Sequence, residues 1–600
     1  MIDAHGDRGE HGDRGERGDA RGGQGETASP AGTDGVVQAP VPPRPRSLDP
    51  QELGFTPARP VPWLAPLLLI STGLRTLLAL LFGAYLDKRE LQNSLPSEIY
   101  REPETGGELW LDFVADLGDG FDATYSVAYL LAQPELVLDD RRLPRGQMLM
   151  MGGDQVYPTA SSDAYENRFK GPYQAALPCA PAEGPAPSLY AIPGNHDWYD
   201  GLTAFLRLFA RSRDGDIGGW RTPQARSYFA VALPADWWLF ALDEQSGTYL
   251  DDPQLRYFEQ AAAELGPDAK VIISVPAPSW VKAVDNPKAY ESVDYFVRTV
   301  LGPSGAKVRL ILSGDLHHYA RYASAERQLI HCGGGGAYLY PTHHLPERIE
   351  VPPRDTLARR ASETREYDLA GRYPEPARSR RYGWGIFGRL PFRNPGFVTL
   401  LGALHVLLML PIAGVATQRA SSTDQGLFSI PLVIMLVVVL GATALFAKPP
   451  TASSKRQIRH YLLGVGHGVA HIALGALGAW LWLQLPFRDW PWPLPAATAA
   501  LFYGPVVGLV ASQLTATYLL VAGAFGVNLN ELFAGQGIED AKSFLRMHFA
   551  EDGTLTIYPV AVDRVAHEWQ VGPDERPESS WLVPKRPLRA RLAEPPIVLR

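Results

Sequence analysis

The sequence predicts a mixed α/β domain attached to a helical membrane bundle, and two observations carry this prediction. Between residues 105 and 345, short apolar runs typical of buried strands alternate with stretches of helical periodicity. Between residues 396 and 527, about four apolar stretches are long enough to cross a hydrocarbon core of about 30 Å. A chain of 600 residues is also too long for one ordinary domain, so we expect a soluble part and a membrane part.

The N-terminal part of the chain is predicted to contain a tail and one apolar helix. Residues 1–58 are rich in Gly, Arg, Asp, Glu and Pro, so we expect a disordered low-complexity tail and no secretory signal peptide. Residues 62–86 are apolar but carry Arg75 at their centre, where a charge is costly in lipid. We expect a transmembrane helix there, with an interfacial helix as the alternative.

The membrane bundle is predicted from four apolar stretches, which cover residues 397–416, 428–447, 461–485 and 492–525. The last stretch is long, and Gly504-Pro505 either kinks one helix or separates two short ones. Basic residues lie in the linker at 346–395 and between the second and third stretches, and the positive-inside rule places both in the cytoplasm. We therefore expect an integral protein of the cell membrane whose α/β domain is cytoplasmic.

Composition and the C-terminal pattern limit the other possibilities. A formal net charge of −8 and a pI near 6.0 argue against nucleic-acid binding. The two cysteines, Cys179 and Cys332, lie far apart and form neither a disulfide framework nor a zinc motif. Residues 536–600 include an alternating apolar pattern at 554–558, so we expect a small cytoplasmic segment with strands.

Glycine followed by metal-ligand residue types ends several of the predicted strands. Gly153-Asp154 follows one apolar run, Gly194-Asn-His-Asp197 follows a second, and Gly314-Asp-Leu-His317 follows a third. Asp116-Leu-Gly-Asp119 lies upstream of all three. Carboxylate, amide and imidazole groups are suitable ligands for divalent cations, and loops at strand ends converge on a rigid scaffold. The pattern therefore predicts a metal site at the strand ends.

Taken in order, these motifs resemble the calcineurin-like metallophosphoesterase family over residues 105–345. The resemblance implies a four-layer α/β/β/α sandwich that holds divalent metal ions. It implies that Asp154 bridges two ions, that Asp116 and His317 bind one of them, and that Asn195 binds the other. It also implies that His196 is catalytic and donates a proton to the leaving alkoxide. Two such ions would activate a water molecule and neutralise the charge of the phosphoryl group.

Three histidines of the family pattern are replaced in this sequence. Gly118 takes the place of one, the run at 273–278 reads Ile-Ser-Val-Pro-Ala-Pro without a histidine, and Asp315 takes the place of a third. We therefore expect Asp119 and Asp315 to act as further metal ligands. The resulting site is rich in oxygen, which favours Mn²⁺ or Mg²⁺ over Zn²⁺, and the number of ions stays open at one or two.

The neighbours of these ligands are expected to support the site. Asp197, Asp200 and His318 would orient the loops and ligands without touching an ion. The glycines of Gly333–Gly336 lack the lysine and the spacing of a phosphate-binding loop, so a tight backbone passage beside the site is the better interpretation.

The sequence thus predicts a membrane-anchored, metal-dependent phosphoesterase that hydrolyses a phosphate ester of unknown class with metal-activated water. The alternative is a catalytically weak or inactive domain that senses a metal ion or a nucleotide and is coupled to the membrane bundle. A third interpretation, a transporter or redox bundle, rests on His467 and His471, which share one face of the third apolar stretch. Interhelical hydrogen bonding would explain those two histidines equally well.

Overall fold

The structure is a computed structural model that describes residues 43–74, 90–103, 107–210, 216–244, 249–355, 361–417, 425–447, 454–491 and 493–600. In these residues the strands are β1 (Tyr100–Arg101), β2 (Leu109–Val114), β3 (Glu135–Leu138), β4 (Arg141–Pro144), β5 (Met148–Met151), β6 (Ser188–Ala191), β7 (Phe229–Ala232), β8 (Trp237–Ala241), β9 (Lys270–Ser274), β10 (Lys307–Ser313), β11 (Tyr319–Ala323), β12 (Gln328–Cys332), β13 (Arg348–Val351), β14 (Arg365–Tyr373), β15 (Lys542–Phe549), β16 (Leu555–Val562), β17 (Trp569–Val571), β18 (Leu582–Pro584), β19 (Ala590–Leu592) and β20 (Ile597–Leu599).

The α-helices with fully described bounds are α1 (Pro50–Leu53), α2 (Phe121–Ala132), α3 (Ser162–Tyr165), α4 (Gly171–Ala176), α5 (Thr203–Phe209), α6 (Asp252–Ala262), α7 (Ser279–Lys282), α8 (Glu291–Phe296), α9 (Pro376–Gly383), α10 (Ile386–Arg393), α11 (Pro395–Thr417), α12 (Gln425–Phe446), α13 (Ser454–Leu483), α14 (Leu494–Thr498), α15 (Gly504–Ala524) and α16 (Leu529–Ala534). Residues 66–74 are also helical. The prediction of a transmembrane or interfacial helix at residues 62–86 includes Arg75 and the residues after it, which lie outside the described residues.

Two large sheets form the α/β domain. One has the order β19-β16-β15-β2-β5-β6, with β20 also paired to β16. The other has the order β1-β7-β8-β9-β10-β12-β11-β14-β13. Strands β2, β5 and β6 are parallel neighbours, as are β8, β9 and β10, so the carboxyl ends of each set lie at one edge of its sheet.

The two sheets pack face to face, and helices cover their outer faces. Met150 on β5 and Leu310 on β10 belong to one shared core between the sheets. Leu149, the neighbour of Met150, points the other way and packs with Tyr125 of α2, because successive strand residues face opposite sides. Phe258 of α6 packs on the outer face of the second sheet. The prediction of a mixed α/β domain is therefore confirmed.

The C-terminal residues contain strands, as the sequence predicts. Residues 536–600 supply β15, β16, β19 and β20 to the first sheet. β15 pairs antiparallel with β2, from Leu545 opposite Phe113 to Phe549 opposite Leu109. Leu545 and Met547 of β15 and Ile557 of β16 pack in the core between the two sheets, which the N-terminal strands alone would leave open.

Two other expected segments are also part of the fold. The basic linker predicted at 346–395 contains β13 and β14, because Tyr367 and Tyr373 are buried among its charged residues. Within the predicted tail at 1–58, residues 43–58 are ordered, since Leu53 and Phe55 are buried in the core beside α2. The rest of the tail, residues 1–42, lies outside the described residues.

The membrane part contains four helices in the described residues that are long and apolar enough to span a bilayer, as predicted. These candidate spans are Pro395–Thr417, Ser429–Phe446, Ile458–Leu483 and Leu494–Ala524. The fourth remains one helical segment through Gly504-Pro505, with a π-helical turn at Ala499–Tyr503 between α14 and α15. Leu519 of α15 packs in the same core as the two sheets, so the bundle and the α/β domain are joined by buried apolar contacts.

Three intramembrane histidines form a hydrogen-bonded chain that joins α11 to α13. His405 Nε2 on α11 lies 2.9 Å from His471 Nδ1 on α13, and His471 Nε2 lies 2.9 Å from His467 Nε2. The three imidazoles thus form a chain in which His471 uses both of its ring nitrogens. This geometry favours the interpretation of these histidines as interhelical hydrogen-bonding groups.

Candidate metal centre

Three aspartates stand just beyond the ends of three strands, all with left-handed backbone. Asp116 follows β2 with φ 59°, Asp154 follows β5 with φ 51°, and Asp315 follows β10 with φ 70°. This conformation is uncommon for residues with a Cβ atom, and such strain is concentrated at functional sites. Because β2 and β5 belong to one sheet and β10 to the other, the site lies where the ends of the two sheets meet.

The hydroxyl of Tyr157 stands at the centre of the site. It lies 3.3 Å from Asp116 Oδ1, 3.0 Å from Asp154 Oδ2 and 3.1 Å from His317 Nε2. All four side chains are buried. The structure therefore brings candidate ligands from three separate motifs together around the Tyr157 hydroxyl oxygen. If one ion is bound by all three side chains, the Tyr157 hydroxyl must either bind that ion or move away from it.

Sequence reasoning missed Tyr157. Its position in the sequence was the available signal. Tyr157 follows Asp154 by three residues in the same loop, and its hydroxyl contacts the Asp154 carboxylate. Aromatic residues are so common in cores that this spacing alone did not separate a site tyrosine from a packed one.

The backbone of the Gly194–Asp197 motif fixes Asp154. The N–H of His196 donates to Asp154 Oδ1 over 2.8 Å. A Cβ atom on Gly194 would lie 2.2 Å from the same oxygen, so only glycine allows this approach. Asn195 lies between these two residues in the chain and is half-buried.

The His196 ring is held by one nitrogen. Nδ1 lies 2.6 Å from the carbonyl oxygen of Pro158, and because a carbonyl only accepts, Nδ1 carries the hydrogen. The ring also contacts Tyr157, with centroids 4.4 Å apart. This arrangement leaves Nε2 as the nitrogen that can exchange a proton with a substrate, and His196 is half-buried at the mouth of the site.

Burial and mutual repulsion dominate the electrostatics of the carboxyl groups. Burial raises the pKa of Asp116 well above its usual value, and the charges of Asp154 and Asp315 raise it further. Burial also raises the pKa of Asp154, although His196 partly offsets this effect. Anionic forms of these groups therefore need a positive charge nearby.

A positively charged side chain, Lys282, lies beside Asp315. Burial alone would raise the pKa of Asp315, but the ammonium group of Lys282, whose Nζ lies 2.9 Å from Asp315 Oδ2, lowers it below the usual value. Burial lowers the pKa of His317 to about 3, so its imidazole is neutral and free to act as a ligand at physiological pH. His317 Nδ1 lies 2.8 Å from the carbonyl oxygen of Tyr338, which directs Nε2 toward the cluster.

The structure does not bring Asp119 to this cluster. Its Oδ1 accepts a hydrogen bond from the N–H of Val61 over 2.7 Å. Its Oδ2 accepts from Trp63 Nε1 and from the N–H of Tyr338, each over 3.2 Å. Asp119 therefore fastens the chain that leads into helical residues 66–74, and the expectation that it binds metal is not supported by its position.

The residues expected to support the site have distinct partners. Asp197 is buried and accepts hydrogen bonds from Gly194 N–H and from the Tyr165 hydroxyl. Asp200 accepts from the N–H groups of Thr203 and Ala204 at the start of α5, so it caps that helix. His318, also buried, faces His331, whose Nε2 lies 2.9 Å from its own Nε2.

The glycine run passes directly behind Asp116. A Cβ atom on Gly333 would lie 1.9 Å from Asp116 Oδ2, and the N–H of Ala337 donates to the Asp116 carbonyl over 2.9 Å. The run is thus a tight backbone passage, as the sequence predicted. Asp116 Oδ2 itself is buried and accepts no hydrogen bond within the described residues. That orphaned oxygen, together with carboxylate, imidazole and phenol donors, fits a divalent cation.

Among the described residues, the group whose carboxylate and imidazole ligand atoms all lie within 4.8 Å of one another is not this cluster but a set on another part of the domain. This set consists of Asp122, Glu539 and His567. Each has a partner already: Asp122 accepts from His567 and from Trp569, and Glu539 pairs with Arg393. These contacts account for the group without an ion.

Comparison with known proteins gives no family for this chain. No protein-family model matches it, and no curated protein matches it. Among solved structures, one match is GAP50, described as the anchor in the inner membrane complex of Plasmodium. The match has a TM-score of 0.30 and 10% sequence identity, and it covers 46% of this chain and 94% of that chain.

Proposed function

We propose that this protein is a membrane-anchored, metal-dependent phosphoesterase. The observation that carries the proposal is the meeting of Asp116, Asp154 and His317 around one point, each at the end of a different strand. Their motifs follow one another in the chain as they do in calcineurin-like metallophosphoesterases, and the two packed sheets with helices outside agree with the layers that this resemblance implies.

The ligands in the proposal are Asp116, Asp154 and His317, together with Asn195. A divalent ion bound there supplies Lewis-acid activation of water and offsets the charge of a phosphoryl group. The oxygen-rich donor set favours Mn²⁺ or Mg²⁺ over Zn²⁺. Tyr157 places its hydroxyl 3.0–3.3 Å from both carboxylates and from the imidazole, and its single hydrogen bonds to one of these three acceptors at a time.

His196 is the proposed general acid. Its Nδ1 hydrogen is fixed on the Pro158 carbonyl, so a proton delivered to the leaving oxygen comes from Nε2. The backbone N–H of the same residue holds Asp154, which couples the position of the acid to the position of the ligand.

The substrate is proposed to be a phosphate ester at the membrane surface. Trp63 lies three residues before helical residues 66–74 and packs edge-on against Tyr157 and Tyr338. The Tyr338 hydroxyl donates to Asn530 Oδ1 over 2.6 Å, in α16, which follows the membrane helix α15. The cluster is therefore connected through Trp63 to the chain that leads into helical residues 66–74, and through Tyr338 to α16, which follows the membrane helix α15. The cytoplasmic location of the domain belongs to the proposal and rests on the basic residues near α9.

The test uses the full chain purified in detergent, stripped of metal and reloaded with Mn²⁺. We expect bound Mn²⁺ and turnover of at least one member of a panel of phosphate mono- and diesters. Asp154→Asn should lose both, whereas His196→Ala should keep the ion and lose turnover. Asp163→Asn, on the surface helix α3, is the matched control and should behave as the unaltered protein.

Two results would contradict the proposal in different ways. If the unaltered chain binds no divalent ion after loading, the site is not a metal centre. If it binds Mn²⁺ through Asp154 but hydrolyses none of the esters, while an ester or nucleotide still binds, the sensor interpretation replaces the enzyme.

A further inference from the structure

The run at 273–278, which lacks one histidine of the family pattern, leads to a lysine that reaches the site. Strand β9 ends at Ser274, the run Pro276-Ala-Pro278 follows, and the short helix α7 then ends at Lys282. Lys282 Nζ lies 2.9 Å from Asp315 Oδ2. Asp315 is itself the residue that replaces a motif histidine. Two altered motifs, from two different strands of the second sheet, therefore meet in a single ion pair.

This ion pair is part of the metal cluster. The N–H of Asp315 donates to Asp116 Oδ1 over 3.0 Å, so the backbone that carries the pair also holds a proposed metal ligand. The side chain of Lys282 is 47% exposed and that of Asp315 is 22% exposed. The ammonium group therefore stands at the mouth of the site, between the buried ligands and the solvent from which a substrate arrives.

The charges of the cluster balance with one ion. Asp116, Asp154 and Asp315 carry three negative charges when ionised. Lys282 offsets one of these, and a single divalent cation offsets the other two. A second divalent ion beside the ammonium would leave the cluster with excess positive charge in a buried setting, where like charges repel strongly.

We propose that the ammonium group of Lys282 takes the place of a second metal ion, so that the site holds one divalent cation and one lysine. The inference rests on the proposed phosphoesterase function and specifies how that site is built. Asp315 then holds Lys282 and is not a metal ligand. An ammonium group has three donors, so Lys282 can keep its bond to Asp315 and donate to a phosphoryl oxygen as well.

The number of bound ions tests this directly. The full chain in detergent, in a His567→Ala background that removes the separate Asp122 group, is loaded with Mn²⁺, dialysed and assayed by atomic emission. We expect one ion per chain. Lys282→Met frees Asp315 and should raise the number to two, whereas Lys282→Arg keeps the positive charge and should leave it at one. Lys307→Met, which breaks a surface pair with Asp268, is the matched control and should also leave one ion.

The possible failures are distinguishable. Two ions in the Lys282-containing chain would overturn this inference and leave the phosphoesterase proposal intact. One ion in Lys282→Met would also overturn it, because the lysine would then not exclude a second ion. No ion in any variant would overturn both proposals. Thermal melting of Lys282→Met checks that the variant is folded, which the half-exposed position of its side chain leads us to expect.

Discussion

Arg546 on β15 pairs with Asp112 on β2 through two hydrogen bonds of 2.8 Å, in the interior of the first sheet. Both side chains are almost completely buried, and Arg546 also donates to the carbonyl oxygen of Leu143. The two residues are 434 positions apart in the chain. This pair ties the C-terminal residues to the strand that leads to Asp116 in the candidate metal centre, so the stability of that region depends on the C-terminal strands.

Arg546→Met is therefore expected to destabilise the whole domain. Removal of one partner leaves the Asp112 carboxylate buried without its counterion, which costs about 3–5 kcal/mol. Thermal melting of the full chain in detergent measures the loss. The double variant Asp112→Leu/Arg546→Met should recover part of it, because two apolar groups leave no uncompensated charge.

The control for this prediction is Arg576→Met. Arg576 pairs with Asp574 at the surface, where an ion pair contributes about 0–1 kcal/mol. Equal melting temperatures for Arg546→Met and Arg576→Met would show that the buried pair contributes nothing specific.

Local features made much of the architecture predictable. Apolar runs of the right length located the membrane helices, and glycines after apolar runs located Asp154 and His317 at strand ends. Each of those signals lies within one continuous stretch of the chain. The roles of Arg546 and Lys282 were not predictable in the same way, because each depends on a contact between distant segments that no local pattern encodes.

Asp119 illustrates the same limit at short range. It lies three residues after Asp116, which made it a reasonable ligand, yet its partners Val61 and Trp63 come from a segment 58 and 56 residues earlier. The turn at Gly118, with φ 44°, sends the chain away from the cluster between the two aspartates.

Asp116→Asn and Asp119→Asn should consequently have different effects. The first removes a carboxylate from the cluster and should abolish retention of Mn²⁺ after dialysis. The second should leave the bound ion but lower the melting temperature. An amide nitrogen cannot accept the hydrogen bonds from Trp63 and Tyr338, and an unsatisfied buried group costs about 1–3 kcal/mol. Loss of Mn²⁺ from Asp119→Asn would show that Asp119 is a ligand after all.

Tyr157→Phe is expected to weaken Mn²⁺ binding about tenfold or more, without unfolding the protein. The variant keeps the ring contacts with Trp63 and His196 but loses the hydroxyl that contacts three proposed ligands. Loss of a group that orients metal ligands typically reduces affinity about 10–100-fold. Titration of the metal-free protein with Mn²⁺ measures the change.

Tyr173→Phe is the matched control for that variant. Tyr173 is fully buried, and within the described residues its hydroxyl has no hydrogen-bond partner. Its removal should therefore leave Mn²⁺ affinity unchanged. Tighter binding by Tyr157→Phe would mean that the hydroxyl blocks the ion rather than supporting its ligands.

The buried imidazole of His331 should make the domain sensitive to acid. Burial lowers its pKa to about 3 in the folded protein, while an unfolded histidine titrates near 6.5. Below pH 6.5 the unfolded chain therefore takes up a proton that the folded chain refuses, and stability falls by about 1.4 kcal/mol per pH unit until the folded pKa is reached. His331→Gln removes this group, so its melting temperature should fall less steeply between pH 6.5 and pH 5. His548→Gln is the control for this variant, because the His548 ring stacks on Trp110 near the surface. If the melting temperatures of the unaltered protein, His331→Gln and His548→Gln all fall equally steeply between pH 6.5 and pH 5, protonation of His331 is not the cause of the acid sensitivity.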